Sequence, residues 1–174
     1  MGSHIKLADN HQSRFVSGFN SPLECGLRSA VLLAQAFPQK LDIQRLVHYD
    51  YLLVHSGDVV GGPSSIHPPT PHRSGELLVR RPLIEAGVKL MMSKSVVECE
   101  FSTRGILYLA GEWSVVFLDS LKTEYAESIK QRANWVVKHF AVYKDDDLTM
   151  FIRNNWSNWG AEFEFESFLR RAEA

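Results

Sequence analysis

The stretch PHRSGELLVRRPLIEAGVKLMMSKSVVECEFSTRGILYLAG, residues 71–111, decides the fold of this chain. Its first half has apolar residues at helical spacing among basic ones, which predicts a long helix over residues 73–94. From Val97 onward apolar residues alternate with polar ones on either side of a turn at residues 102–105, which predicts a two-stranded ribbon. The cross-strand pairs expected on one inner face are Phe101 with Ile106, Cys99 with Tyr108 and Val97 with Ala110.

A helix followed by a hairpin and then by more helix is the pattern of a winged helix. We therefore predict an α+β, mostly α-helical fold, with a winged-helix-like core, a two-stranded β-hairpin wing and additional C-terminal helices. A chain of 174 residues is long enough to bury a core in one domain. We expect residues 1–14 to form a flexible tail and residues 15–174 a single domain with a C-terminal helical extension.

Helix boundaries can be read at several other points of the chain. Ser21, Pro22 and Glu24 form a capping box with proline in the first turn, so a helix should begin there. Pro38 should end it, and Asp42 should cap a second helix that runs to about His55. Further helices are expected from Glu112 to His139, with a bend at Lys122 and Thr123, and from about Leu148 to Trp156.

Residues 56–72 are rich in glycine and proline and can form neither a helix nor an interior strand. A loop of this length in a compact domain is usually functional or disordered, and we interpret it as a docking loop. Imidazole and carboxylate groups are metal ligands, so a metal site is a second interpretation and a plain surface loop a third. However, the spacing matches no zinc pattern, and neither cysteine is near. The candidate side chains are His55, Asp58, His67 and His72.

One acidic residue and one set of basic residues on the helices also lead to predictions. Asp50 lies within an apolar segment, so it is either on the solvent face of its helix or paired; we expect the solvent face, because ionised carboxylates are rarely buried alone. Arg73, Arg80 and Lys94 would align along an unbroken helix, with Arg104 at the tip of the ribbon, as in a winged-helix DNA reader. A solvated face explains the same cations. The candidate nucleic-acid contacts are Arg80, Arg81, Lys94 and Arg104.

The overall composition excludes several classes of protein. A net charge of −1 argues against a protein that coats nucleic acid by charge alone. The chain has no apolar run of membrane-spanning length and no secretory leader, so the cytoplasm is expected, with Cys25 and Cys99 reduced. Since no nucleophile elbow, Cys–His signature or phosphate-cradling loop is present, we interpret the chain as non-enzymatic, with no cofactor and no bound metal.

The C-terminal end is unusually aromatic, with Trp159, Phe163 and Phe165 among its residues. Such side chains either dock on the body of their own domain or, if exposed, mark an interface, because aromatic residues are enriched in binding hot spots. Both interpretations remain open.

With these residues in view, the chain resembles the middle components of bacterial ABC-three-component systems, specifically the second of the described middle-component families. The resemblance spans nearly the whole chain after the N-terminal tail. Pro82 departs from the helix-forming residue expected at its position, and it should kink or split the basic helix near Arg81. The resembling segments are residues 19–24 (FNSPLE), 50–58 (DYLLVHSGD), 67–81 (HPPTPHRSGELLVRR) and 159–165 (WGAEFEF).

The resemblance implies an adaptor in a Lamassu-like anti-phage or anti-plasmid complex. Its partners would be an ABC ATPase similar to the SMC and Rad50 proteins and an effector subunit of nuclease type, with DNA reached through the complex and no membrane involved. A free-standing winged-helix DNA-binding regulator is the alternative function, and a metal-dependent hydrolase built on the histidine loop is a third. The candidate partner-binding residues, six of them in a polar knot beside the loop, are His55, Asp58, His67, His72, Arg73, Glu76, Trp159, Phe163 and Phe165.

Overall fold

The computed structural model describes residues 20–68, 73–103 and 105–155, with the backbone alone over residues 73–78. Five helices and a three-stranded antiparallel sheet are followed by a helical segment over residues 145–155, here called α6, so the mostly helical α+β fold is confirmed. No helix in these ranges is long and apolar enough to cross a membrane. The elements are α1 (Pro22–Ala36), β1 (Leu41–Asp42), α2 (Ile43–Val54), α3 (Arg73–Met92), β2 (Val97–Ser102), β3 (Gly105–Ala110), α4 (Ser114–Ser120) and α5 (Glu124–Phe140), with a 3-10 turn (Ser56–Asp58) after α2.

The caps of the first two helices form as their sequences predict. Ser21 accepts a hydrogen bond from the Glu24 amide at 3.2 Å, and Asp42 accepts one from the Arg45 amide at 2.7 Å. The Glu24 carboxylate, however, reaches back to the amide of Asn20 at 2.5 Å rather than to that of Ser21. That shift by one residue anchors the entry to α1.

Helices α1 and α3 approach closely because glycines face each other. A Cβ atom added at Gly87 would lie 2.4 Å from the Gly26 nitrogen and 2.4 Å from the Pro22 carbonyl oxygen, distances that real Cβ atoms do not reach. Helix α3 continues as one element through Pro82, so the expected split at Arg81 does not occur. The close approach brings the residues of α3 deep into the core.

The hairpin has the predicted register, with Phe101 opposite Ile106. The inner face is not buried along its whole length, however, because Phe101 is 80% and Ile106 43% exposed. The tip projects beyond the core, whereas Val97 at the base is buried and Tyr108 packs partly buried against the core. The two-residue strand β1, which the sequence did not indicate, pairs with β3 and gives the sheet order β1-β3-β2.

The second half of the chain follows the predicted boundaries. Helices α4 and α5 are separate, and Thr123 caps α5 by accepting a hydrogen bond from the Ala126 amide at 3.2 Å. Segment α6 adds Leu148 and Ile152 to the common core. Both cysteines are free, Cys25 buried and Cys99 half-buried. The C-terminal aromatic residues lie outside the described part of the chain.

Candidate functional site

A buried group of charged side chains lies where α1, α2 and α3 meet. Asp50 on α2 is fully buried, so the expectation that it faces solvent was wrong. Its Oδ1 accepts a hydrogen bond from Arg28 Nε at 2.5 Å and its Oδ2 one from Arg28 Nη2 at 3.1 Å, the bidentate geometry that suits a carboxylate. Arg80 donates a further short hydrogen bond to Oδ2. A buried carboxylate is tolerated here because two guanidinium groups pair with it.

Arg28 connects Asp50 to a second buried carboxylate, Glu24. Arg28 Nη1 lies 2.7 Å from Glu24 Oε1, and Arg28 Nη2 donates to the Asn20 side-chain oxygen at 3.2 Å. Tyr125 on α5 donates a short hydrogen bond to the same carboxylate oxygen, and His67 Nε2 lies 3.3 Å from it. The polar cluster, as we call Glu24, Arg28, Asp50, His67, Arg80 and Tyr125, thus joins four elements and the loop.

The loop after α2 returns to the polar cluster through its own backbone. The amides of Ile66 and His67 both donate to the Val54 carbonyl, at 3.0 and 3.1 Å. The His67 ring then reaches the Tyr125 hydroxyl at 3.0 Å. On the other side of the loop Arg132 donates to the Ser64 carbonyl at 2.9 Å. Residues 56–68 are therefore fastened to both α2 and α5.

The predicted polar knot is formed in part. His55 is buried, and its ring centroid lies 5.0 Å from that of Tyr51 and 6.4 Å from that of His67. Asp58 is half-buried and accepts a hydrogen bond from the Tyr51 hydroxyl at 3.2 Å. The structure thus brings His55 close to His67 and joins both His55 and Asp58 to Tyr51.

The remaining predicted partner-binding residues lie either at the start of α3 or outside the described residues. Arg73 and Glu76 lie in the first turns of α3, where the backbone alone is described. No group of three or more His, Cys, Asp or Glu side chains in the described residues is arranged to hold a metal ion. The predicted residues that lie outside the described ranges are His72, Trp159, Phe163 and Phe165.

The predicted nucleic-acid contacts do not all lie on the surface. Arg80 is 1% exposed and paired with Asp50, so the expectation that it lies on an exposed basic face was wrong. Its guanidinium carbon also lies 5.6 Å from the Tyr51 ring centroid. Arg81 is exposed and pairs with Glu85 at 3.0 Å, and Lys94 is exposed at the end of α3. Arg104 lies outside the described residues.

Electrostatics keep both buried carboxylates ionised. Burial alone would raise the pKa of Glu24, but hydrogen bonds from His67 and Tyr125 and the charge of Arg28 outweigh it and lower that pKa from 4.5 to about 2. Burial would likewise raise the pKa of Asp50, yet the charges of Arg28 and Arg80 hold it below its ordinary value. Burial, with the negative charge of Asp50, raises the pKa of the Cys25 thiol to about 11, so this thiol is an unreactive core residue.

Acid should therefore destabilise the fold through Glu24. Because its folded-state pKa is lowered, its contribution is complete above about pH 4.5 and is lost as pH falls towards 2, and it amounts to about 2–3 kcal/mol. We expect Glu24→Gln to be less stable than the natural chain by that amount at pH 7, and the difference to narrow as pH falls. Urea unfolding from pH 7 to pH 2 measures it. A difference that stays constant down to pH 2 would contradict this role of Glu24.

Sequence reasoning missed Glu24, Arg28 and Tyr125 as members of this cluster. A signal was present for Arg28, which shares the apolar face of α1 with Cys25 and Leu32 at spacings of three and four residues. One charge on an apolar helix face and an opposite charge, Asp50, within an apolar run of another helix indicate a buried pair. Tyr125 gives no comparable signal.

The chemistry open to the polar cluster is structural. Arg28 and Asp50 are wholly buried, and Glu24 and His67 are less than 10% exposed. Opposite charges within it are matched, two guanidinium groups with two carboxylates. Groups so enclosed hold their neighbours in fixed positions, and those neighbours include the base of the loop.

Comparison with known proteins gives a match to a family model. The family model for the ABC-three component (ABC-3C) system Middle Component 2 matches residues 18–162, most of the chain. No curated protein and no solved structure matches the chain. The match includes every member of the polar cluster and the loop tied to it. The chain belongs to the Middle Component 2 family of ABC-three-component systems.

Proposed function

We propose that this chain is a non-catalytic adaptor that bridges an ABC ATPase of the SMC and Rad50 type to an effector of nuclease type. In this role it passes the DNA-sensing state of the ATPase to the effector within a Lamassu-like anti-phage or anti-plasmid complex. Membership of a middle-component family supports an adaptor role, since such a subunit works among other components. The polar cluster supports it too, because its charged groups are enclosed rather than offered to a substrate.

The loop over residues 56–68 is the observation that carries the proposal. Its base is fastened to α2 by two backbone hydrogen bonds and to α5 by Arg132, while Val60 at its tip is 98% exposed. A loop held at its base and projecting at its tip binds with little loss of conformational freedom. We assign this tip to the contact with a partner subunit.

Replacing Val60 with aspartate should weaken the complex at least about tenfold, because a charge would enter a desolvated contact. Val142→Asp is the matched control, since Val142 is 83% exposed in the segment after α5 and is not part of the loop. Each variant is expressed with the ATPase and effector encoded beside it, and the apparent affinity of the purified components is measured. Equal losses from both variants, or from neither, would contradict the assignment of the loop tip.

A winged-helix-like core fits the same fold. The order α1-β1-α2-α3-β2-β3, with β3 in the centre of the sheet, supports that comparison and keeps a free-standing DNA-binding regulator as the second candidate. For a regulator of this kind Arg80 would not be available as a DNA contact, because it is buried, whereas Arg81 and Lys94 are exposed. Duplex binding by the isolated chain that falls steeply with salt would favour the regulator over the adaptor.

A further inference from the structure

An apolar groove lies between the start of α1, the end of α3 and α4. It has a volume of about 460 Å³, and among the described residues that line it only Lys94 is charged. Three of the side chains that line it are unusually exposed for large apolar residues: Leu23 is 62%, Val116 62% and Trp113 53% exposed. A contiguous apolar surface of this kind marks a place where something binds.

We propose that the occupant is this chain's own N-terminal segment, residues 15–19 (FVSGF), which docks through Phe15, Val16 and Phe19. This segment follows six consecutive polar residues, DNHQSR, so its apolar residues form a distinct cluster in the sequence. It joins the described fold at Asn20, three residues before Leu23 in the wall of the groove. The occupant is thus covalently attached beside its site.

The point of attachment is held firmly. The Asn20 amide donates to Glu24 at 2.5 Å, and its side-chain oxygen accepts from Arg28 at 3.2 Å. Its φ of 65° lies in the left-handed region, which asparagine tolerates, so the chain bends just before the cap of α1. The polar cluster therefore fixes where the N-terminal segment leaves the helix.

Distance and tethering both favour this occupant. Five residues, from Asn20 back to Phe15, span at most about 17 Å, and Leu23 in the groove is three residues from the attachment point. A binding segment joined to its site by a short linker has an effective concentration in the millimolar range. A second copy or a partner present at micromolar concentration would need about a thousandfold higher intrinsic affinity to compete.

A disulfide cross-link tests the proposal in the full chain. In a Cys99→Ser background, Phe15→Cys is combined with Val116→Cys in the groove or, as a control, with Val142→Cys, which is 83% exposed and does not line the groove. Under mild oxidation we expect the groove pair to form an intramolecular bond at least about tenfold faster than the control pair, with the mass of a monomer.

Two other results would overturn the proposal. Equal rates for the two pairs would show that the segment does not favour the groove. Cross-linked dimers in place of the intramolecular product would show that a second copy occupies it. A second measurement is independent of cysteine chemistry: Phe19→Asp should increase the binding of an apolar dye to the groove several-fold, whereas Ser17→Asp should not. Unchanged dye binding in both variants would also count against the proposal.

Discussion

Replacing Asp50 with asparagine should lower the free energy of unfolding by about 3–5 kcal/mol, because it leaves two buried guanidinium groups without their shared counter-charge. Asparagine keeps the shape of the side chain but accepts hydrogen bonds without a negative charge. Arg28 would retain Glu24, whereas Arg80 would lose the carboxylate to which it donates. Urea unfolding at pH 7, followed by far-ultraviolet circular dichroism, measures the loss.

Asp145→Asn is the matched control for that substitution. Asp145 accepts a hydrogen bond from Arg45 Nε at 2.6 Å, but its side chain is 66% exposed. Exposed ion pairs contribute little, so the control should lose less than about 1 kcal/mol. If Asp50→Asn and Asp145→Asn were equally stable, the polar cluster would not hold the three helices together.

Gly87→Ala should destabilise the protein by about 3 kcal/mol or more, although the same exchange normally stabilises a helix. The new methyl group would lie 2.4 Å from backbone atoms of α1, at Gly26 and Pro22. Backbone cannot move aside as a flexible side chain does, so α1 and α3 would have to separate and lose packing along their contact. Thermal or urea unfolding of the variant measures this cost.

Ala86→Gly, one residue earlier on the exposed side of α3, reports the ordinary helix preference. It should cost about 1 kcal/mol, because glycine is the poorer helix former. One substitution replaces glycine with alanine and the other replaces alanine with glycine, yet both are expected to destabilise the protein. A Gly87→Ala protein more stable than the natural chain would show that the close approach of α1 and α3 does not occur in solution.

Local patterns in the sequence were enough to predict most of the element boundaries. The hairpin register follows from strict alternation around a short turn, and the helix starts follow from Ser21, Asp42 and, at the bend, Thr123. The degree to which each residue is buried does not follow from such patterns. Alternation predicts which residues share a face with Phe101, whereas the exposure of Phe101 depends on which other elements pack against that face.

The polar cluster was harder to predict because its contacts are distant along the chain. Asp50 pairs with Arg28, 22 residues away, and with Arg80, 30 residues away. The general rule that lone carboxylates face solvent therefore gave the wrong side of α2, since Asp50 is not alone. The same pairing removed Arg80 from the expected basic surface. His67 could be predicted as a candidate because the loop that carries it is unusual in composition.

The bridging role is tested most directly by the mass of the complexes that the ATPase and the effector form with and without this chain. Native mass spectrometry of the three purified components measures this. We expect one species that contains all three when the chain is present, and separate ATPase and effector when it is omitted. If the ATPase and the effector associated equally well without it, the chain would not be the adaptor that joins them.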